Sequence, residues 1–429
     1  MSKGTRDEEI QTIRNAKYHI VIIGAGASYA AFPDGDKNGK ELPLMNNLIE
    51  ILKLQDIIKP TDLKLNNRNF EEIYNFLYQN KKFYDIRKRT EQKVYNYFAD
   101  FEIHKKPTLY DYLLLSLRDK DLVATFNWDP LLVQAYRRHI QFIDLPHLIF
   151  LHGNVTVGYC KDHKFKGDIY ANCPYCHKKL SPTPLLYPIT EKNYGENEFI
   201  SAEWKTLQNY LENAFIITIF GYSAPKSDIK AVKLMTEVWG DPENRKLEQI
   251  EIIDIKSEDE LRNTWSDFIY SHHYYVRNNF FDSWIANHPR RTYEAYFSQE
   301  FEIKFIGHNL IPRYNSLDEL RNWFAELYQV ELDSKNQLFQ SIAKEIQKLY
   351  NIIEKNAKNS EITIPKSFQI LPAILKKIQE KNYRKVYSLL KSINPLEINQ
   401  LKDQMDISQK QIVIQILKDL GFKNLPTDF

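Results

Sequence analysis

The sequence has few cysteines, almost no net charge and no long apolar run, and each absence excludes a class of protein. Three cysteines in 429 residues are an odd number, which argues against a disulfide framework and fits a reducing compartment. A net charge of +2 gives no strong attraction to nucleic acid or to anionic lipid. The N-terminal residues are charged, and no run of about 18 apolar residues occurs. We therefore expect a cytoplasmic protein without a signal peptide or a membrane span.

Short, β-branched apolar runs alternate with stretches of helical periodicity along the first two thirds of the chain. The runs predict buried strands because parallel sheets are covered on both faces. The predicted strands are Ile20–Ile23, Leu122–Phe126, Leu148–Leu151, Phe215–Phe220 and Ile250–Ile255. Strands that alternate with helices predict an α/β fold, a Rossmann-like parallel sheet with helices on both faces.

The length suggests two or three domains. We predict an α/β domain over residues 1–314, with a helical insertion at 45–120 and a small zinc-binding module at 155–185. Residues 315–429 have helical periodicity and predict an α-helical C-terminal domain. The aromatic-rich stretch 259–313 gives no clear assignment. Within the insertion and after it, the predicted helices include Met45–Leu54, Phe70–Ala99 and Leu317–Leu327.

The first predicted strand leads directly into Gly24, Ala25, Gly26, Ala27 and Ser28. Small residues at this turn let a ligand approach the backbone amides, and a pyrophosphate would fit. The usual dinucleotide fingerprint adds a third glycine and an acidic residue about 20 positions later, and neither is clean here. A tight strand-to-helix turn without a ligand is the alternative interpretation.

Polar residues or glycine follow the other predicted strands: Asn127 and Asp129, His152, Gly221 and Ser223, and Asp254. In an open α/β sheet, ligands bind outside the carboxyl ends of the strands, so these residues would share one edge with the glycine turn. Taken singly, each has a plain structural explanation: a helix cap for the residues after the second strand, a turn for the histidine and the glycine, and a surface charge for Asp254.

All three cysteines lie in a short window that begins with Cys160 and His163 and ends with Cys173 and Cys176. Two close pairs of soft ligands are typical of a structural zinc site, because each pair can hold one side of a tetrahedral ion. His177 competes with His163 for the fourth position. Four protein ligands leave no open coordination position, so we expect structural Zn²⁺; a metal-free cysteine loop is the alternative.

Taken in order, these motifs resemble those of the sirtuin family. They are GAGAS at 24–28, FNWD at 126–129, HG at 152–153, the cysteine-rich window and GYS at 221–223. The resemblance is to the bacterial sirtuin-like NADases associated with antiphage defence rather than to the protein deacetylases. Deacetylases follow the glycine turn with Gly-Ile-Pro-Asp-Phe-Arg, whereas this chain has Phe32-Pro-Asp-Gly-Asp-Lys. In addition, His163 stands where the family has a cysteine.

The resemblance implies that residues 1–314 bind and cleave NAD⁺, giving ADP-ribose and nicotinamide. Asn127 and His152 match the catalytic pair, with Asp129 nearby. Asn127 would position a water and the ribose hydroxyls, and His152 would act as a general base because an unperturbed histidine titrates near neutral pH. The glycine turn would hold the nucleotide together with the residues after the fourth and fifth strands.

Other activities remain open at this point. The same site could carry out protein deacylation or ADP-ribosylation, or it could bind NAD⁺ or ADP-ribose as a sensor without turnover. Free NADase activity would damage the host cell. For that reason, the resemblance also implies restraint, by homo-oligomerisation, by the C-terminal helices or by a companion defence protein.

Overall fold

The computed structural model of the protein describes residues 17–61, 69–189, 192–304, 307–359, 363–381 and 383–422. The chain divides into two compact units, Met1–Ala325 and Glu326–Phe429. Among the described residues, no helix is both long enough and apolar enough to cross a membrane.

The described residues contain nine strands. These are β1 (Tyr18–Ile23), β2 (Leu122–Thr125), β3 (His147–Phe150), β4 (Val157–Cys160), β5 (Phe165–Asp168), β6 (Ser181–Pro182), β7 (Ala214–Phe220), β8 (Gln249–Ile253) and β9 (Tyr274–Arg277). Six of them form one parallel sheet in the order β3-β2-β1-β7-β8-β9, and the other three form a small antiparallel sheet in the order β5-β4-β6.

The same residues contain sixteen α-helices. In chain order they are α1 (Ala25–Ala31), α2 (Leu48–Ile51), α3 (Gln55–Ile58), α4 (Phe70–Gln79), α5 (Tyr84–Ala99), α6 (Leu109–Ser116), α7 (Leu131–Arg137), α8 (Glu198–Leu211), α9 (Ile229–Trp239), α10 (Glu258–Thr264), α11 (Trp284–Asn287), α12 (Thr292–Glu300), α13 (Leu317–Asn359), α14 (Leu371–Gln379), α15 (Tyr383–Leu390) and α16 (Ile407–Asp419).

The central sheet is covered on both faces. Ile20, Val21, Ile22 and Ile23 alternate between the two faces of the sheet, and all four are fully buried. On one face, residues of β1 pack with residues of α8, and a second cluster joins β7 to α12. These observations confirm the predicted fold class, a parallel sheet between helices.

The strand order places a topological switch point between β1 and β7. From β1 the chain adds β2 and β3 on one side, and then returns to add β7, β8 and β9 on the other. The last residues of five strands are paired side by side, in the order Phe150, Thr125, Ile23, Phe220 and Ile253. The residues that follow these strands therefore emerge at one edge, where doubly wound folds bind nucleotides.

Several predicted boundaries differ from the observed ones for local reasons. The helix predicted over Met45–Leu54 is reduced to the short helix α2, and Lys53, which has a positive φ of 51°, separates α2 from the next short helix, α3. The helix predicted over Phe70–Ala99 is interrupted at Asn80, whose backbone is extended, and forms α4 and α5. The helix predicted over Leu317–Leu327 is the beginning of the much longer α13.

The second unit is helical. Its core joins apolar side chains of α13 to those of α14, α15 and α16, with Leu349, Ile353, Leu371, Ile374 and Leu417 among its most buried members. This agrees with the predicted helical C-terminal region.

A buried polar network crosses the central sheet at its middle. The His19 ring on β1 contacts Thr218 on β7 through Nε2 at 2.8 Å and Thr292 on α12 through Nδ1 at 3.0 Å. The hydroxyl of Thr218 lies 3.2 Å from Glu251 Oε2 on β8, and the backbone N–H of Trp284 donates to Glu251 Oε1 at 2.7 Å. Burial lowers the pKa of His19 to about 4 and raises the pKa of Glu251 to about 7.

Replacing Glu251 by glutamine should stabilise the protein at alkaline pH and leave its stability nearly unchanged near pH 4. The folded chain keeps a proton on Glu251 up to about pH 7, whereas a glutamate in the unfolded chain releases it near its ordinary pKa of 4.5. Ionisation of Glu251 therefore lowers the stability of the wild type as the pH rises through this window. The full shift corresponds to roughly 3 kcal/mol. Urea unfolding at several pH values measures the difference between the variant and the wild type.

The exposed Glu243 offers a matched control. Glu243→Gln should change the free energy of unfolding little at any pH, because an exposed side chain is surrounded by water in both the folded and the unfolded chain and its interactions contribute little. A Glu251→Gln effect that is independent of pH would contradict the assignment of a protonated, buried Glu251.

Candidate functional site

A cavity of about 550 Å³ lies at the carboxyl ends of the parallel strands. The residues predicted from the sequence converge on it, and those that line it are Gly24, Ala25, Gly26, Ser28, Asn127, Asp129, His152, Gly221, Ser223 and Asp254. Ala27 is the exception, because it is fully buried in α1. Residues separated by more than 200 positions in the chain are thus brought to one site by the register of the sheet.

Further parts of the cavity wall were not predicted from the sequence. One part comes from the helical insertion and includes Leu48 of α2, Glu71 of α4 and Phe98 of α5. Another part comes from Lys192, which precedes α8, and from Asp228, which precedes α9. The helical insertion therefore contributes residues to the cavity wall.

The glycine turn packs directly against the end of β7. The N–H of Gly24 donates to Phe220 O at 3.0 Å, and the N–H of Gly26 donates to Gly221 O at 2.9 Å. A Cβ atom on Gly24 would lie 2.5 Å from Gly221 O, and one on Gly26 would lie 2.9 Å from Gly221 Cα. Glycine is required at both positions because two backbone segments are in contact here. This reason differs from the one inferred from the sequence, which was the approach of a ligand to the backbone amides.

Asn127 holds the glycine turn from the neighbouring strand. Its Nδ2 group donates to Gly24 O and to Ser28 Oγ, both at 2.9 Å. Among the described residues, no hydrogen bond is made by Asn127 Oδ1. The side chain is therefore fixed by its donors, and its oxygen is available to accept a hydrogen bond from a molecule in the cavity.

Asp129 and Ser28 continue this network in the cavity wall. The hydroxyl of Ser28 donates to Asp129 Oδ2 at 2.8 Å and lies 2.5 Å from the hydroxyl of Tyr110. Burial raises the pKa of Asp129, although the Ser28 hydroxyl opposes this shift. Tyr110 was not predicted as a site residue, since its position on the apolar helix α6 gives no sign that its hydroxyl reaches across to α1.

His152 is buried, with 5% of its surface exposed. Its Nε2 atom lies 3.4 Å from the hydroxyl of Tyr194 and 3.6 Å from Asp228 Oδ1. Burial lowers the pKa of His152 to about 3, and the charge of Lys192 acts in the same direction, while Asp228 opposes both. The expectation that this histidine titrates near neutral pH is therefore wrong for the folded chain, in which the imidazole is neutral.

Asp228 forms a buried ion pair with Lys192. Its Oδ1 atom contacts the ammonium group of Lys192, and its Oδ2 atom accepts from the hydroxyl of Tyr222 at 3.0 Å. Burial alone would raise the pKa of Asp228, but the neighbouring His152, the Lys192 ammonium and the Tyr222 hydroxyl together hold it below its usual range. Asp228 occupies the N-cap position of α9, but its side chain makes no capping hydrogen bond and lines the cavity.

Two further predicted residues, Asp254 and Ser223, line the cavity. Asp254 is half-buried, and its Oδ1 atom accepts from the N–H of Lys256 at 3.1 Å. Ser223 is exposed and also lines the cavity. The carboxylate of Asp254 keeps acceptor capacity toward the cavity, as recognition of ribose hydroxyls would require.

The predicted metal ligands form a compact cluster in the antiparallel module. Cys160 Sγ lies 3.7 Å from both Cys176 Sγ and His163 Nδ1, and Cys173 Sγ lies 3.9 Å from His163 Nδ1. A tetrahedral ion with Zn–S bonds of about 2.3 Å places its sulfur ligands roughly 3.8 Å apart. The four residues therefore fit a structural zinc ion. His177 is exposed and does not belong to the cluster, whose histidine is His163.

Comparison of the sequence with protein-family models and with curated proteins finds no match. Comparison with solved structures finds similarity to Sir2 proteins. One is a Sir2 homologue in complex with NAD, at 15% identity, a TM-score of 0.33 and coverage of 65% of this chain and 90% of that one. Another is a mutant Sir2 homologue in complex with ADP-ribose, at 15% identity, a TM-score of 0.29 and coverage of 59% and 86%.

A third structure is a Sir2 complex with a deacetylated p53 peptide and 3′-O-acetyl-ADP-ribose, at 13% identity, a TM-score of 0.32 and coverage of 70% and 99%. These are structures of the family that the sequence motifs resemble. Because the TM-scores and identities are low, we take the fold class from the sheet order and the site from its own contacts.

Proposed function

We propose that the protein is a NAD⁺ hydrolase, which converts NAD⁺ and water into ADP-ribose and nicotinamide. The observation that supports this best is the convergence of five strand ends on one cavity, with Asn127 and His152 both on its wall. The cavity lies at the switch point between β1 and β7, where doubly wound sheets bind nucleotides. Its volume is also in the range of about 300–1,000 Å³ that is typical of small-molecule sites.

The reaction requires little from the protein besides position and electrostatics. The bond between C1′ of the ribose and the nicotinamide nitrogen breaks, and both of its electrons leave with nicotinamide, which becomes neutral. The ribose carbon develops oxocarbenium character, and the oxygen of a water molecule bonds to it. In this proposal Asn127 Oδ1, which has no partner among the described residues, accepts a hydrogen bond from the water or from a ribose hydroxyl.

His152 then accepts the proton that the added water loses. Its low pKa makes it a weak base, but a water that has bonded to an oxocarbenium carbon is a strong acid, so a weak base suffices. The proton passes to Nε2 and later to solvent, which completes the balance of NAD⁺ plus water to ADP-ribose, nicotinamide and a proton. A neutral imidazole is required at the moment of transfer, and burial of His152 provides it.

Asn127→Ala and His152→Ala should each lower the rate of NAD⁺ hydrolysis by about 10²-fold or more, the range expected for loss of a positioned proton acceptor or hydrogen-bond partner. After incubation of the purified protein with NAD⁺, chromatography measures the loss of NAD⁺ and the formation of ADP-ribose and nicotinamide. Asn209→Ala and His272→Ala, which remove the same side-chain types at exposed positions, serve as controls and should retain the wild-type rate.

The products also distinguish the alternatives. Undiminished turnover in both cavity variants would contradict the assignment of the site. Formation of an acyl-ADP-ribose from an acylated peptide would favour deacylation, and labelling of a protein would favour ADP-ribosylation. Tight NAD⁺ binding without turnover would favour a sensor.

We also propose that this activity is restrained in the cell and acts in antiphage defence through depletion of NAD⁺. The support is the resemblance of the motifs to those of sirtuin-like defence NADases and the damage that free NADase activity would cause. Restraint would come from self-assembly, from the helical C-terminal unit or from a companion protein. A monomeric protein that is fully active alone would contradict restraint by self-assembly.

A further inference from the structure

Lys192 and Asp228 form an ion pair inside the cavity wall, next to the proposed proton acceptor. Lys192 is 4% exposed and Asp228 is 3% exposed. Burying two charges is costly unless their geometry and hydrogen bonds compensate, and replacing such a pair by apolar residues is often neutral or stabilising. The pair is thus a weak source of stability, which raises the question of what else it does at this position.

The surroundings of the His152 ring consist of a few groups. Phe126 meets the ring edge to face, with centroids 4.8 Å apart, and Tyr194 lies parallel to it. The titratable or charged groups that face it are Tyr194, Asp228, Lys192 and, behind Asp228, Tyr222. Glu71 of α4 approaches the same region, where it accepts from the hydroxyl of Ser227 at 3.0 Å.

Within this group Asp228 has two neighbours that can carry a positive charge. Oδ1 contacts the Lys192 ammonium, and the same atom lies 3.6 Å from His152 Nε2. While Lys192 is present, it satisfies the charge of Asp228, and a second positive charge on His152 would be repelled by Lys192. If Lys192 were absent, a protonated His152 would be the cation left within reach of the buried carboxylate among these described groups.

We propose that Lys192 is a positioning residue of this site: by holding the Asp228 carboxylate, it acts together with burial to keep the His152 imidazole unprotonated, so that Nε2 remains a proton acceptor over the physiological pH range. This inference rests on the proposed NAD⁺ hydrolysis for its catalytic meaning, but the charge state of His152 can be measured without any turnover. Lys192 acts through Asp228 and is not required to touch the substrate.

The sign of the effect follows from both partners. Removal of Lys192 takes away a repulsive charge and leaves Asp228 unpaired, and both changes favour the imidazolium form. The double variant Lys192→Met/Asp228→Asn removes the attraction as well, so burial alone again keeps the ring neutral. Asp228→Asn alone leaves the repulsive ammonium in place and should also keep the ring neutral.

The test is a titration of His152 by NMR of protein labelled at the histidine Cε1 position, with His152→Gln used to identify its signal. In the wild type we expect no titration of this signal between about pH 5 and pH 8. In Lys192→Met we expect a titration with its midpoint inside this pH range, because the attraction of Asp228 then acts against burial without the opposing charge of Lys192. The double variant and Asp228→Asn should return the signal to the wild-type behaviour.

The rate of NAD⁺ hydrolysis gives the second readout. The wild type should have no acidic limb in kcat/KM between about pH 5 and pH 8, whereas Lys192→Met should lose activity roughly tenfold per pH unit below the new midpoint. The double variant should remove this limb. Lys166→Met is a matched control, because Lys166 also pairs with a buried glutamate, Glu203, but does not line the cavity, and it should leave the His152 titration unchanged.

Each possible result either supports or contradicts the proposed role of Lys192. If His152 does not titrate in Lys192→Met, or if the double variant does not reverse the change, the proposal is overturned. A rise in KM for NAD⁺ without a new acidic limb would overturn it in favour of direct substrate contact by Lys192. If the protein does not hydrolyse NAD⁺ at all, the proposed function fails, while the NMR titration still tests the role of Lys192. Should Lys192→Met alone fail to fold, a His152 signal that titrates between about pH 5 and pH 8 in the double variant or in Asp228→Asn would contradict the proposal.

Discussion

Replacing Gly221 by alanine should destabilise the protein by about 3 kcal/mol or more and remove most of its NAD⁺ turnover. Gly221 has a φ of +58°, and a Cβ atom there would lie 2.2 Å from Ala27 N and 2.7 Å from Gly26 Cα. All of these neighbours are backbone atoms, so no side chain can rotate away to relieve the contact. The end of β7 and the glycine turn would have to separate.

The effect on activity follows from the same contacts. Gly221 O accepts from Gly26 N–H, and Asn127 Nδ2 donates to Gly24 O, so a displaced turn would also displace the Asn127 amide. Misplacement of a catalytic group by about 1 Å can cost about 10²-fold in rate.

Gly240 provides the control for the Gly221 prediction. It also has a positive φ, of +80°, but a Cβ atom there meets no atom within 4 Å. Gly240→Ala should therefore show backbone strain alone, with a loss of about 1–3 kcal/mol in the free energy of unfolding and normal turnover. Urea unfolding and the NAD⁺ assay measure both variants. Equal turnover in the two variants would contradict the importance of the close approach between β7 and the glycine turn.

The sequence predicts the main strands of the sheet because a strand that is buried on both faces appears locally as a short, continuous run of apolar residues. Four consecutive β-branched or aliphatic residues at Ile20–Ile23 can be explained by a strand covered on both faces, and they are all fully buried. The edge strand β9 is not predicted, because its sequence gives no clear local sign of burial. Its residues Tyr274–Arg277 are only half-buried, and a short run with polar neighbours has neither an alternating nor a continuous apolar pattern.

The residues of the candidate site also fall into two groups, those that the sequence predicts and those that it does not. Residues that directly follow a strand were predicted because parallel strands carry them to a common edge. Lys192, Asp228 and Glu71, which line the cavity, and Tyr110, which contacts Ser28, were not predicted, because packing between segments distant in sequence brings them to the site. The Ser28 hydroxyl, for example, meets Tyr110 across 82 positions of the chain. The charge state of His152 was also beyond prediction from the sequence, since it depends on burial and on the position of Lys192.

Removing zinc, or replacing Cys173 by serine, should unfold the metal-binding module around β4, β5 and β6. Apart from the ligands, the core of this module contains Leu180 and the partly buried Phe165, which is far too small to stabilise a three-stranded sheet. Structural zinc supplies about 10–16 kcal/mol of apparent binding free energy in small domains of this kind. We expect one zinc ion per chain by elemental analysis, and loss of both the metal and the hydrogen-exchange protection of residues 155–185 in Cys173→Ser.

Loss of the metal should also disturb the cavity, although none of the four proposed metal ligands lines it. The segment that leaves the module runs beside the proposed proton acceptor: Leu186 N–H donates to His152 O at 2.9 Å, and Thr183 N–H donates to Val157 O at 3.0 Å. When the module unfolds, the backbone of His152 loses this support, so NAD⁺ turnover should fall together with the zinc content. His177→Ala is the matched control, because His177 lies next to Cys176 in sequence but outside the cluster. It should retain zinc and activity; a variant that loses the metal would show that His177 is a ligand, and a Cys173→Ser protein that keeps its zinc would contradict the assigned set.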